Sequence, residues 1–299
     1  MKSDIRTNMQ TKQTWLLLGA TGRIGRMLMR HWQTVPPDGV NIFPQRRRDG
    51  IGFALEWDPL ESSEPLLRFA SEKGRIDGII VLSGVTPSSD GNLSDNWTIA
   101  DSVIKAAIEV GVPRVLMASS SAVYGIGSEL PYVECNPTNP ANEYGRSKLA
   151  VEDLCEQTRR AGVDICALRI GNVAGADALL MNAERSDPRE PLVIDRFKDG
   201  KGPVRSYIGP ITLARVLESL MCHLPPLPLY LNVAAPVPVH MTSLADTYGR
   251  NWRFTPGANA ASQKITLNCS LLETIHSFSD ANSSPSEMIA EWKTVKDPS

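Results

Sequence analysis

The residues best suited to chemistry are a tyrosine and a lysine four apart, in Tyr144-Gly145-Arg146-Ser147-Lys148. On a helix that spacing puts both side chains on one face. An ammonium beside a phenol favours the phenolate, which predicts a Tyr144 pKa lowered toward neutrality. Upstream stands the run Ser119-Ser120-Ser121-Ala122-Val123-Tyr124-Gly125, whose hydroxyls can hydrogen-bond the same substrate oxygen. Such a set can deliver or remove a proton at a carbinol while hydride moves to or from a nicotinamide. A Tyr-x-x-x-Lys pair alone recurs by chance on exposed helices; its weight here comes from the serines and from the glycine turn that opens the chain.

That turn is Gly19-Ala20-Thr21-Gly22-Arg23-Ile24-Gly25, directly after the apolar run Trp15 to Leu18. Its glycine spacing differs by one residue from the Gly-x-Gly-x-x-Gly fingerprint, but the physics is shared. Glycines allow a tight turn and a close backbone approach to a pyrophosphate, and the helix that starts there aims free N–H groups at the anion. The plain alternative is a glycine-rich turn that holds no ligand. At the end of the second strand comes Pro44-Gln45-Arg46-Arg47-Arg48, with no carboxylate before Asp49. Arg46 and Arg47 could grip a 2′-phosphate, which favours NADP over NAD. A solvated basic loop is the other reading of this cluster. Asp58, after Trp57, could bond the adenine amino group or simply be a surface carboxylate.

The elements that must position these residues alternate. Trp15–Leu18, Val40–Phe43, Phe53–Trp57, Ile76–Leu82, Arg114–Ala118 and Val163–Leu168 read as strands. Helices are predicted at Ile24–Trp32, Trp97–Val110 and Tyr144–Ala161, with Gly111 and Gly162 as stops. Unbroken apolar strands between helices predict an α/β fold: a Rossmann-type doubly wound parallel sheet with a small C-terminal substrate-binding region. The expected division is a loose N-terminal tail over 1–13, a dinucleotide-binding domain with the catalytic residues over 14–175, and a smaller substrate-binding region over 176–299. In that last part, helix Ile211–Cys222 and strand Leu229–Val233 stand out among frequent prolines and glycines, and one strand or more is allowed to return to the main sheet. A terminal helix falls within about Ser279–Ser299.

Composition narrows the function classes. With 31 Lys and Arg against 33 Asp and Glu, no basic excess points to nucleic acid. Five scattered cysteines lack any Cys-x-x-Cys pair and read as reduced residues, Cys166 in a strand core. His31, His223, His240 and His276 are far apart, so no metal site is expected. No apolar run approaches membrane-spanning length and no secretory leader is visible, which predicts a cytoplasmic protein without a membrane partner.

Taken together, the glycine turn, the Ser119–Gly125 run, Tyr144–Lys148 and Leu168-Arg169-Ile170-Gly171-Asn172-Val173 resemble the extended short-chain dehydrogenase/reductases, of the NAD-dependent epimerase/dehydratase family. The match runs in family order from the first strand to about residue 175. The resemblance implies Ser120, Tyr144 and Lys148 as catalytic residues, Lys148 also holding the nicotinamide ribose. It implies cofactor contacts from Gly19, Thr21, Gly22, Arg23, Ile24, Gly25, Ser83 and Gly84. It implies substrate contacts from Ser121, Asn172 and Arg205, the last matching an arginine that meets the diphosphate in sugar-nucleotide enzymes. The chain departs from the family at Gly209-Pro210-Ile211-Thr212, where His-Val-x-Asp is usual, and its C-terminal part is short. A homodimer through the helices around Trp97–Val110 and Tyr144–Ala161 is also implied.

The expected function is therefore NAD(P)-dependent epimerase/dehydratase-type chemistry at a hydroxyl or carbonyl carbon of a sugar or nucleotide sugar. The alternatives are an NADPH-dependent carbonyl reductase or alcohol dehydrogenase on a small substrate, and a non-catalytic dinucleotide sensor. An intact proton-transfer set argues against the sensor.

Overall fold

Apolar runs without alternation suit strands that are covered on both faces, and the computed structural model uses them so. It describes residues 12–47, 54–87, 91–256 and 262–297. In chain order the first part comprises β1 Gln13–Leu18, α1 Arg23–Thr34, β2 Val40–Arg46, β3 Leu55–Glu56, α2 Glu64–Lys73, β4 Gly78–Val81, α3 Asp95–Val110, β5 Arg114–Ser120, α4 Glu143–Arg160 and β6 Asp164–Ile170. The second part comprises β7 Asn172–Val173, α5 Ala178–Arg185, β8 Leu192–Arg196, β9 Val204–Arg205, β10 Tyr207–Ile208, α6 Pro210–Cys222, β11 Tyr230–Val233, β12 Val239–His240, α7 Met241–Tyr248, β13 Trp252–Pro256, β14 Lys264–Ile265, α8 Ser270–Glu273 and α9 Pro285–Val295.

Seven strands form one parallel sheet in the order β11-β6-β5-β4-β1-β2-β3. The chain leaves β1 toward β3 on one side and β4 toward β6 on the other. The order therefore reverses between β1 and β4, and a doubly wound sheet opens its ligand crevice at that point, at the carboxyl ends of the strands. Alternate residues enter two cores: Leu16 and Leu18 on one face, Trp15 and Leu17 on the other.

Two details of the strands differ from the expectation. β2 runs on through Pro44 to Arg46. Pro44 fits because its carbonyl and its missing N–H face the β3 side, where Ala54 N–H donates to the carbonyl and pairing begins only at Gln45. The third strand is only Leu55–Glu56, and Phe53 lies outside the described residues.

The second part builds on the first. β11 joins the sheet edge in parallel beside β6, with Tyr230 opposite Ala167 and Val233 opposite Ile170. Helices α6 and α9 pack on α1. The departure at Gly209–Thr212 also finds its physical answer here. Helix α6 has no side-chain cap of its own. Glu291, buried on α9, supplies the carboxylate: Oε2 accepts from Ile211 N–H and Thr212 N–H at 2.9 Å each, and Oε1 accepts from the Thr212 hydroxyl. Gly209 leaves room for this carboxylate, since a Cβ there would stand 2.0 Å from Glu291 Oε2 and push it aside.

Candidate active site

The glycine turn sits at the carboxyl end of β1. Gly19 has φ 82°, and a Cβ there would lie 2.6 Å from Ser83 N, so the turn presses on the chain leaving β4. A Cβ on Gly25 would stand 2.2 Å from Gly19 O, so the helix packs directly under the turn. Gly22 N–H donates to Gly19 O at 2.9 Å. The first turn of α1 has no side-chain cap and no acidic residue, and Thr21 and Gly22 are exposed. The backbone N–H groups at this helix start and the absence of a Cβ make a cradle that suits a dinucleotide pyrophosphate. Arg23 reaches across it, donating to Gly175 O and to Glu184 at 3.1 Å each.

Beside the turn lies Gln45, which the sequence reading passed over. It is buried, its Oε1 accepts from Gly19 N–H at 3.2 Å, and its Nε2 donates to Trp57 O. This amide fixes β1, β2 and the end of β3 to one another. Arg46 ends β2 half-buried and Arg47 is exposed; Arg48 and Asp49 lie outside the described residues. Asp58, half-buried, accepts at Oδ1 from Leu60 N–H at 3.0 Å in an Asx-type turn.

Ser120 ends β5 and Tyr144 lies in the first turn of α4, whose N-cap Asn142 accepts from Gly145 N–H at 2.8 Å. Lys148 follows one turn later, its Nζ 6.0 Å from the Tyr144 ring centroid and donating to Ala118 O at 3.0 Å. All three line one cleft of ≈ 490 Å³ together with Ile24, Gly84 and Asn172. Ser121 and Arg205 are not among its lining residues.

The expected depression of the Tyr144 pKa is corrected by the structure. Burial pushes the phenol above its usual value, and a hydrogen bond with Ser120 only partly opposes this. The Lys148 ammonium does not reverse the balance because it points to Ala118 O rather than to the phenol oxygen. Burial in turn pulls Lys148 down to about 8; its hydrogen bond to Ala118 O is to a neutral carbonyl.

Asn96, one residue before the predicted start of α3, is a second residue missed by pattern reading. It is buried, accepts from Val85 N–H at 2.8 Å, and donates to Val85 O and Ser147 Oγ at 3.0 Å each. It thus ties the loop after β4 to α4. Gly84 fits beneath it because a Cβ would lie 2.6 Å from Asn96 Oδ1 and 3.3 Å from Lys148 Nζ. The only signal in the sequence was an amide at the head of an apolar helix.

Arg205 lies elsewhere. Its guanidinium donates to Val204 O at 2.8 Å, Gln263 O at 2.7 Å and Ser262 O at 2.8 Å, and burial lowers its pKa. It holds β9 against β14, so an incoming anion competes with three carbonyls. Asp177 lines the cleft instead. It caps α5 through Leu179 N–H and Leu180 N–H at 3.0 and 3.2 Å and accepts from the Tyr207 hydroxyl at 3.0 Å. Burial raises its pKa.

Behind the cleft a closed polar network links the strand ends. Arg169 donates from Nε and Nη2 to the two Glu152 oxygens at 2.9 and 2.7 Å. It also donates to the Tyr124 hydroxyl and Glu134 O at 2.9 Å each. Tyr124 donates to Asn232 Oδ1 at 2.8 Å, and Ser119 donates to Glu152 at 2.6 Å.

The model of the NAD dependent epimerase/dehydratase family matches residues 15–219, and the chain belongs to that family. It is 32% identical over 175 residues to a UDP-glucose 4-epimerase of Azospirillum brasilense, covering 54% of this chain and 49% of the relative. It is 40% identical over 131 residues to one from Streptococcus mutans, covering 38% of this chain and 39% of the relative. The chain thus spans about half or less of the length of these curated relatives. Among solved structures it resembles TunA, an NAD-dependent NDP-hexosamine 5,6-dehydratase involved in tunicamycin biosynthesis, with TM-score 0.75, 19% identity, and 96% and 99% of the two chains covered. It resembles equally the UDP-glucose 4-epimerase of Bifidobacterium longum in complex with NAD+ and UDP, with TM-score 0.75, 16% identity, and 94% and 98% covered. At these identities the two structures speak for the fold.

Among the described residues no group of three or more His, Cys, Asp or Glu could hold a metal. No helix there is long and apolar enough to cross a membrane.

Proposed function

We propose that the protein is an NAD(P)-dependent oxidoreductase of the epimerase/dehydratase type, acting at a hydroxyl or carbonyl carbon of a sugar or nucleotide sugar. The observation that carries this reading is the convergence of Ser120, Tyr144 and Lys148 on one cleft beside a glycine cradle at the switch point of the sheet. Residues 14–175 hold the cofactor and the proton-transfer groups; residues 176–299 supply the substrate side. Gly19, Thr21, Gly22, Ile24 and Gly25 receive the dinucleotide at the helix start, with Arg23 bracing the turn and Ser83 and Gly84 along its nicotinamide half. A bound nicotinamide dinucleotide supplies or takes up hydride.

Tyr144 donates or accepts the proton at the substrate oxygen, and Ser120 shares that oxygen. Burial holds Tyr144 as a neutral phenol, the form that donates to a carbonyl. Lys148, one helical turn on, lowers the cost of the phenolate once the proton has left. Asn172, on the cleft wall, lies toward the substrate. Arg46 and Arg47, in a stretch of sequence from Pro44 to Arg48 that has no carboxylate, make NADP the favoured dinucleotide. Helices α3 and α4 are the expected homodimer faces; α3 leaves Trp97 43% and Ile108 50% exposed.

A second reading, a simple NADPH-dependent reductase of a small non-nucleotide substrate, is favoured by the engagement of Arg205 with three carbonyls. Turnover separates the two. An epimerase acting on UDP-glucose shows no net absorbance change at the nicotinamide band, whereas a reductase consumes NADPH in step with a ketone or aldehyde. Retained turnover in Tyr144→Phe would remove the acid/base assignment from both. Titration of Arg46→Asp/Arg47→Asp with NAD and NADP tests the phosphate grip; an unchanged preference removes it.

A further inference from the structure

The cleft has one wall whose polar groups are not yet accounted for. Helix α5 presents Ala178, Met181, Asn182 and Arg185 to it, the i, i+3, i+4, i+7 spacing of a single helix face. Among the described residues, the cations lining the cleft are Lys148 and Arg185. Lys148 is 6% exposed and bonded to Ala118 O. Arg185 is exposed and, among the described residues, has no hydrogen-bond or ion-pair partner; the Asn182 amide beside it has none either.

The backbone beneath Arg185 is held firmly. Arg250, 8% exposed, donates to Ala183 O, to Ser186 Oγ and Asp187 O at 2.9 Å each, and to Glu190 O at 3.1 Å. It thereby fixes the exit of α5. The preceding residue, Glu184, is turned toward Arg23 at the cofactor cradle. One residue on, about 100° around the helix, Arg185 faces the cleft instead. The phosphates of the dinucleotide are provided for by the glycine turn, so this guanidinium, without a partner among the described residues, answers to a different anion.

We infer that Arg185, with Asn182, is the anion-binding end of the substrate site and takes a phosphate group of the substrate, the role the family resemblance implies for Arg205. The inference rests on the reading that this cleft works over a bound dinucleotide. A guanidinium grips phosphate through paired charge-assisted hydrogen bonds. Both a nucleoside diphosphate and a simple phosphate ester offer that chemistry.

Calorimetric titration of dinucleotide-loaded protein with UDP and with glucose 1-phosphate tests it, in wild type, Arg185→Gln and Arg185→Lys. The expected result is binding of at least one probe, weakened about tenfold or more in Arg185→Gln and partly restored by lysine, with dinucleotide affinity within about twofold of wild type. Binding of UDP alone identifies a nucleoside diphosphate as the source; comparable binding of glucose 1-phosphate identifies the phosphate ester. Three outcomes overturn the inference while the dinucleotide still binds: neither probe binds wild type, Arg185→Gln binds the probes as wild type does, or Arg185→Gln lowers only the melting temperature, as loss of a helix-terminus charge does. If wild type binds neither NAD nor NADP, the oxidoreductase reading itself falls and takes the inference with it.

Discussion

Lys148 and Arg169 are cations buried close to the same end of the sheet, at 6% and 3% exposure, and their surroundings differ in kind. Arg169 meets a bidentate carboxylate, a hydroxyl and a carbonyl, and lies over the rings of Tyr124 and Tyr230 at 4.9 and 4.4 Å. Burial pushes its pKa down, but the bonds and charge of Glu152 override this and raise it. Lys148 donates to one neutral carbonyl, and burial prevails there. The same contrast separates the tyrosines: Tyr124 sits between Arg169 and Asn232, while Tyr144 turns its hydroxyl to Ser120 at an open cleft. Groups with every bond made are scaffold. Groups left short of partners are the ones a cofactor and substrate can complete.

The comparison can be broken at several points. Tyr144→Phe should lower turnover by about 10²- to 10⁴-fold with an unchanged melting temperature; a large loss of stability instead would make Tyr144 scaffold after all. Glu152→Gln leaves Arg169 buried without its charge partner and should cost about 3–5 kcal/mol in denaturant unfolding. A cost near zero would show that the network is dispensable.

Lys148 sharpens the contrast through pH. Its folded pKa, about 8, lies below the ordinary 10.5, so the unfolded chain binds the proton more tightly. That penalty is present in full below about pH 8 and fades as pH rises toward 10.5. Lys148→Met should therefore raise the melting temperature at pH 7 and flatten this rise, while Arg169 contributes no such slope. Melting curves at pH 7, 9 and 10 check it. The smallest effect is expected at the far cap: Glu291→Ala strips α6 of its carboxylate and should cost about 0.5–2 kcal/mol, without altering dinucleotide affinity.

Much of the cleft was legible in the chain because its spacing is local. Tyr144 and Lys148 share a helix face by periodicity, Gly19 and Gly25 mark a turn no Cβ would allow, and unbroken apolar strands imply a parallel sheet. What escaped were side chains whose partners lie far along the chain. Gln45 looks like one polar residue among arginines until it meets Gly19 and Trp57. Asn96 acquires its role from Val85 and Ser147. Arg205 had a motif to recommend it, but the carbonyls of residues 262 and 263 claim its guanidinium.

The sequence by itself determined the elements, the glycine turn and the placing of Tyr144 and Lys148 on one helix, since these follow from residue type and short-range periodicity. Only the tertiary structure decided which charges were left unmatched. It set the direction of the Tyr144 and Lys148 shifts, supplied the cap of α6 from Glu291 80 residues away at Ile211, and brought Arg185 rather than Arg205 to the cleft, with no partner among the described residues. Desolvation and hydrogen-bond satisfaction depend on what packs around a group, and the neighbours come together only when the chain has folded.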